Sequence, residues 1–203
     1  MKPTRLILIR HGSTDWGRQR RYCGSSDVSL NKKGRKEALK LRKRFEDEDI
    51  CKVYSSDRKR AYETAALIFR GRPILKKTGL REIDFGCFEG LTYGQIMKRY
   101  TVVYKKWLKD AFNVTIPGGE KTHAFRTRVL RTLRKIVSAH PHKTVAVVSH
   151  GGAIGMFIAH LLKKRSFWEY VPSSCGVSIV EYKKGKPDPR LFNNKVFLSK
   201  ECS

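Results

Sequence analysis

The sequence predicts an α/β fold: a three-layer α/β/α sandwich on a mainly parallel central sheet, with an inserted helical lid at about 81–119. Three observations carry this. Short apolar runs alternate along the chain with amphipathic helical patterns, as strand–helix–strand units require. The run 144–149 is apolar almost without a break, the pattern of a strand buried on both faces. Three of the strands end in polar residues and glycines, at the edge where an open α/β sheet gathers its ligands. The 203 residues suit one domain with a substantial core, and no internal repeat or linker divides them.

Residues 5–9 form a short apolar run bounded by turn residues, a buried strand. Leu30, Asn31 and Gly34 introduce a helix to about Glu46, with Ala38, Leu41 and Phe45 on its apolar face. Residues 51–54 make a second short strand. Ser56 or Asp57 is placed to cap the next helix, which turns Ala61, Ala65 and Ile68 inward. Residues 73–77 suit a third strand. The segment 81–119 is rich in aromatics, among them Phe85, Phe88, Tyr93, Tyr100, Tyr104, Trp107 and Phe112. It reads as a helical insertion whose aromatics divide between packing and substrate contact. Residues 120–139 form a helix with Phe125, Val129, Leu133 and Ile136 on one face. The strand at 144–149 is followed by an apolar helix at 154–162. Residues 177–182 and 195–198 close the chain as strands.

Composition narrows the function. The net charge is +26, with pI near 10.2. Such charge suggests a polyanion partner. The basic residues are spread along the chain, however, and no tail or single helix gathers them. No zinc-finger, KH-type or RRM-type motif accompanies them. A solvated surface that attracts an anionic substrate is the preferred reading; nucleic acid is disfavoured, although the charge alone does not exclude it. The five cysteines, at 23, 51, 87, 175 and 202, are odd in number and widely spaced, so they read as free thiols. No apolar run is long enough to span a membrane, and the run 6–9 is too short for a signal-peptide core. The cytosol is the expected compartment. No feature of the sequence bears on oligomeric state.

The strand ends carry the chemistry. The first ends Arg10-His11-Gly12, the second Ser55-Ser56-Asp57 followed by Arg58, Lys59 and Arg60, and the late one Ser149-His150-Gly151-Gly152. Two histidines and at least two arginines can therefore converge. Arginine forks match phosphate oxygens two at a time. A neutral histidine is a nucleophile, and flanking guanidiniums keep it neutral by lowering its pKa. The second histidine can donate to phosphate oxygens, and bare glycine N–H groups such as that of Gly151 allow close approach. A leaving alkoxide also needs a proton. Glu82 is the candidate acid, with Asp84 and Glu89 close enough in sequence to compete for the role. Arg58 and Lys59 are expected in solvent, as are His123, His140, His142 and His160, or else in structural roles.

These motifs, taken in order, resemble the histidine phosphatase superfamily, the phosphoglycerate-mutase-like proteins. Arg10-His11-Gly12-Ser13-Thr14 is similar to its signature. Ser55 to Ala61 with Thr64-Ala65, Leu80 to Gly86 with Phe88 to Thr92, Pro117-Gly118-Gly119-Glu120, and Val147 to Gly152 match further segments. The resemblance implies that His11 is the phosphohistidine nucleophile and Glu82 the proton donor and acceptor. It implies that Arg10, Arg60, His150 and Gly151 bind phosphate, and that Thr14, Cys23 and Gly24 lie where substrate is contacted. It implies no metal or organic cofactor. Three positions depart: Ser13 and Gly17 stand where the family often has Glu and Asn, and Gly155 where it often has Arg. The nearest resemblance is to the α-ribazole phosphatase group, which makes a small phosphomonoester the expected substrate. The alternatives are a cofactor-dependent phosphoglycerate mutase and, from another class, an inactive phosphate-site protein that binds nucleic acid.

Overall fold

A computed structural model describes residues 2–194. Six strands form one sheet in the order β3-β2-β4-β1-β5-β6. Strands β1 (Thr4–Arg10), β2 (Ile50–Ser55), β3 (Ile74–Lys76) and β4 (Thr144–Ser149) run parallel. Strands β5 (Val177–Lys183) and β6 (Lys186–Asn194) add an antiparallel edge.

Alternation along the central strands sets the layers. Leu6, Leu8, Val145 and Val147 face one way, into a core with Phe125, Val129, Ile154 and Phe157. Ile7, Ile9, Ala146 and Val148 face the other, against Ala38, Leu41, Ala61 and Ala65. Helices α2 (Lys32–Arg44) and α3 (Lys59–Ile68) thus cover one face, and α6 (Thr122–Ser138) and α7 (Gly151–Leu161) the other. A short helix, α1 (Asp15–Arg18), follows β1.

The segment 81–119 holds helices α4 (Tyr93–Arg99) and α5 (Thr101–Lys109). Most of its aromatics pack. Phe85, Phe88, Tyr104 and Trp107 are buried, joined edge to face with Tyr22 from the other side of the chain, whereas Tyr93 is exposed.

Several boundaries differ from the sequence expectation. Neither Ser56 nor Asp57 caps α3. Asp57 is held by Arg81, with Nε donating to Oδ1 at 2.8 Å, and Ser56 is held by His150. Asp27 takes the role instead, its Oδ1 accepting from the Lys59 N–H at 2.7 Å. Helix α7 begins at Gly151 rather than 154, directly after His150, because its first turn is built of glycines that carry no helical signature. The edge strand β6 carries Pro187 and Pro189, residues tolerated only at a sheet edge. The strand expected at 195–198 lies outside the described residues. Among the described residues no helix is long and apolar enough to cross a membrane.

Candidate active site

Strand register brings the motif residues level. Arg10 pairs with Ser149 and Ser55 with Val148. The ladder continues one step further, with His11 N donating to Ser149 O at 2.9 Å and Ser56 N to Val148 O at 2.9 Å. His11, Ser56 and His150 therefore stand side by side at the carboxyl edge of the sheet. The two imidazoles lie edge to face with centroids 5.2 Å apart.

His11 Nδ1 is 2.8 Å from the Gly12 carbonyl oxygen. A carbonyl only accepts, so Nδ1 carries the hydrogen and Nε2 keeps its lone pair. Burial, then the Arg60 and Arg10 guanidiniums, hold the His11 pKa well below the ordinary histidine value. His11 is thus a neutral imidazole with a fixed tautomer.

His150 Nε2 is 2.8 Å from Ser56 Oγ. That hydroxyl also accepts from the Arg58 N–H at 3.3 Å. When the hydroxyl gives its proton to Nε2, Nδ1 bears the hydrogen. Burial, with Arg60, His11 and Arg10, lowers the His150 pKa as well.

Arg10 donates from Nη1 to Pro172 O at 2.6 Å. Arg60 is fully buried; its Nη1 donates to Ser26 O at 2.7 Å and its Nη2 to Gly24 O at 2.9 Å. The Nε atoms of Arg10, Arg58 and Arg60 and the Nδ1 of His150 are buried without a hydrogen-bond partner among the described residues. Buried donors are nearly always satisfied. Unpaired nitrogens on Arg10, Arg60 and His150, gathered around His11, form a place that can take an oxyanion. Arg58 was expected in solvent, yet its Nε is buried.

Glu82 approaches from the segment after β3. Its Oε2 accepts from Gly152 N at 2.8 Å, in the first turn of α7, and its Oε1 from Ile83 N at 3.1 Å. A Cβ at Gly152 would sit 2.4 Å from Glu82 Oε1, so glycine is required for this approach. Burial raises the Glu82 pKa, opposed by the two backbone N–H bonds and by Arg10 and Arg60. The competing carboxylates are spent elsewhere. Glu89 accepts from the N–H groups of Gly24, Ser25, Ser26 and Phe85 and from Ser26 Oγ. Asp84 Oδ1 accepts from Gly86 N.

Thr14 and residues 23–24 have structural work as well. Thr14 Oγ1 accepts from Gly17 N at 3.0 Å and caps α1. The carbonyls of Cys23 and Gly24 hold Arg60. Burial pushes the Cys23 thiol up to about 11, so it is not a thiolate at neutral pH. The Gly151 α-carbon lies against the Arg10 guanidinium, since a Cβ there would be 3.1 Å from its Cζ.

Supporting residues were missing from the sequence reading. Arg128 pairs with Glu120 through two bonds of 2.7 Å and donates to the carbonyls of Arg81 and Glu82 at 2.7 and 2.8 Å. It fixes the backbone that carries Glu82. At the departure Ser13, a carboxylate arrives from α2: Ser13 N and Oγ both bond Glu37 at 2.9 Å, and Ser174 Oγ joins them. At the departure Gly155, the carbonyls of Phe167 and Tyr170 would lie 2.7 and 3.1 Å from a Cβ, which leaves no room for an arginine. Among the described residues no group of three or more His, Cys, Asp or Glu side chains is placed to hold a metal ion.

A mostly parallel six-stranded sheet between helix layers, with this histidine pair at its strand ends, defines a protein of the phosphoglycerate-mutase-like fold. The chain belongs to the histidine phosphatase superfamily (branch 1), whose family model matches residues 6–195. It is 29% identical over 180 residues to phosphoserine phosphatase 1 of Hydrogenobacter thermophilus, covering 87% of this chain and 85% of that one. Among solved structures it is similar to the α-ribazole phosphatase of Shigella flexneri, with TM-score 0.87 and 27% identity over 94% of this chain and 96% of that one. It is also similar to a phosphoserine phosphatase of Entamoeba histolytica, crystallised with 3-phosphoglyceric acid, with TM-score 0.86 and 27% identity over 96% of this chain and 99% of that one. These relatives are named as phosphatases, consistent with a phosphoric monoester hydrolase.

Proposed function

We propose that this chain hydrolyses a small phosphomonoester through a phosphohistidine at His11 Nε2. The observation that carries the reading is the bond from His11 Nδ1 to the Gly12 carbonyl, which leaves Nε2 unprotonated beside Arg10, Arg60 and His150. In the first step the Nε2 lone pair attacks phosphorus and the bond to the leaving oxygen breaks. Glu82, whose carboxyl burial shifts toward the protonated form, gives that oxygen its proton. The Nε donors of Arg10 and Arg60 and the Nδ1–H of His150 hold the non-bridging oxygens, where charge is greatest. In the second step Glu82, now a carboxylate, takes a proton from water as the water attacks phosphorus. The P–N bond breaks, phosphate leaves, and His11 returns to its neutral form.

Rapid quench with labelled substrate should trap acid-labile, base-stable phosphate on His11. His11→Ala should lose at least ~10³-fold in turnover, since it removes the nucleophile. A variant that kept its activity would end the reading. The named relatives divide over substrate, so α-ribazole 5′-phosphate, phosphoserine, sugar phosphates and nucleotides should be compared by kcat/KM. With 3-phosphoglycerate and a bisphosphate primer the expected product is free phosphate; isomerisation would indicate a mutase. Turnover should survive EDTA.

A further inference from the structure

A cleft of about 940 Å³ opens between the end of α5, the end of α7 and the segment that follows α7, away from the histidine pair. Its size is that of a small-molecule site. Phe112, Leu161 and Trp168, each partly exposed, contribute apolar lining, and the half-exposed Leu108 stands at its mouth. Five lysines and arginines line it, against a single carboxylate, Asp110. Asp110 is already taken by Asn113, whose Nδ2 donates to Oδ2 at 2.7 Å. None of the five cations is in an ion pair among the described residues.

One feature of the wall is chemically mismatched. His160 lies between two arginines, with Arg126 Nη2 3.1 Å from Nδ1 and Arg134 Nη2 3.1 Å from Nε2. A guanidinium only donates, and a neutral imidazole has one accepting nitrogen. One of the two contacts is therefore donor against donor. Protonation would set a second N–H against a guanidinium, and burial, then Arg126 and Arg134, hold the His160 pKa below the ordinary value. An anionic oxygen at this wall would accept from the displaced arginine and offset the surplus charge.

We propose that this cleft is a second binding site, for a small amphipathic anion: one sulfate-, carboxylate- or phosphate-like head on an apolar body. The head lies against Arg126 and the cations that follow α7, Lys164 and Arg165, and the body covers Phe112, Leu161 and Trp168. A purely apolar ligand would leave the cations uncompensated, and a bare oxyanion would leave the apolar lining in water.

The test uses the full chain and the fluorescent probe 1-anilinonaphthalene-8-sulfonate, with orthovanadate present to occupy the histidine site. Saturable binding is expected, displaced by octyl sulfate at concentrations at least ~10-fold below those needed for octanol or inorganic sulfate, the tenfold step being about 1.4 kcal/mol. Arg126→Gln and Leu108→Glu should each weaken the probe at least ~10-fold while kcat on p-nitrophenyl phosphate is unchanged, which shows that the fold is intact. Probe binding indifferent to both substitutions would overturn the proposal. Displacement by inorganic sulfate as effective as by octyl sulfate would reduce the cleft to a charged patch, and equal displacement by octanol to an apolar one; either refutes it. Binding to anionic vesicles without binding of monomeric octyl sulfate would assign the surface to a membrane and refute it too.

Discussion

Glu82 shows how one side chain acquires its chemistry from its surroundings. It is sealed against Gly152, and burial is the main cause of its raised pKa. A proton held there matters most when the leaving group is a strong base. Glu82→Gln should slow single-turnover phosphorylation of His11 by alkyl phosphates roughly 10²–10⁴-fold, the usual worth of a positioned acid. With p-nitrophenyl phosphate, whose leaving group is weakly basic, the loss should be much smaller. Equal losses on both would show that Glu82 positions phosphate and is not the acid. The pH dependence follows in sign. In the proposed first step the protonated carboxyl is the working form, so the alkyl-phosphate rate should fall as pH rises through the raised Glu82 pKa. That alkaline limb should vanish in Glu82→Gln. His11 adds no acid limb near neutrality, because its pKa is held well below the ordinary value.

At the scale of elements, two close approaches hold the site. Helix α2 meets the loop after β1 through glycine: a Cβ at Gly34 would sit 2.2 Å from Ser13 O and 2.6 Å from Ser13 N. Both atoms are backbone, so neither can step aside without moving His11. Gly34→Ala should destabilise by about 1–3 kcal/mol, as overpacking does, and lower kcat with it; an unchanged urea midpoint would contradict this. Helix α3 is capped in trans by Asp27. Asp27→Ala should cost about 1 kcal/mol in the urea midpoint and leave kcat nearly intact, since Arg60 is held by separate carbonyls. These contacts explain which parts were legible in the sequence. The strand 144–149 was found to the residue, because an unbroken apolar run bounded by polar ends has few other uses. The convergence of His11, Arg10, Arg60 and His150 was legible because each lies in a contiguous motif at or just after a strand end. The start of α3 was not, because its cap is 32 residues away. The clamp on Glu82 was equally hidden, since Arg128 reaches carbonyls 46 and 47 residues back. Glu37 belongs to no motif of the sequence, yet its carboxylate receives Ser13 and Ser174. Local patterns reveal what a residue does with its neighbours in sequence; these side chains act on distant backbone.

For the whole molecule, the net charge of +26 acts on stability and on substrate capture in opposite directions. Like charges repel in the compact state, and the unfolded chain relieves that repulsion by expanding. Several ion pairs lie on exposed side chains, such as Arg18 with Asp15 and Arg190 with Asp188, and each contributes little. Salt screens both effects, but the excess of cations makes repulsion the larger one. Raising NaCl from ~0.01 M to ~0.5 M shortens the screening length from about 30 Å to below 10 Å. Thermal stability should therefore rise, and a gain of about 1 kcal/mol would read as ~2–4 °C in Tm for a chain of this size. The same screening removes the long-range pull on a phosphate dianion, so KM should rise and kcat/KM fall several-fold. The turnover step should change little, because Arg60 and His150 are buried and Arg10 is half-buried, where salt screens weakly. Paired measurements on one sample, Tm and steady-state kinetics against NaCl, check the whole pattern. A Tm that fell with salt would mean that local ion pairs outweigh the net charge. A kcat/KM that stayed flat would mean that the basic surface plays no part in bringing substrate to the site.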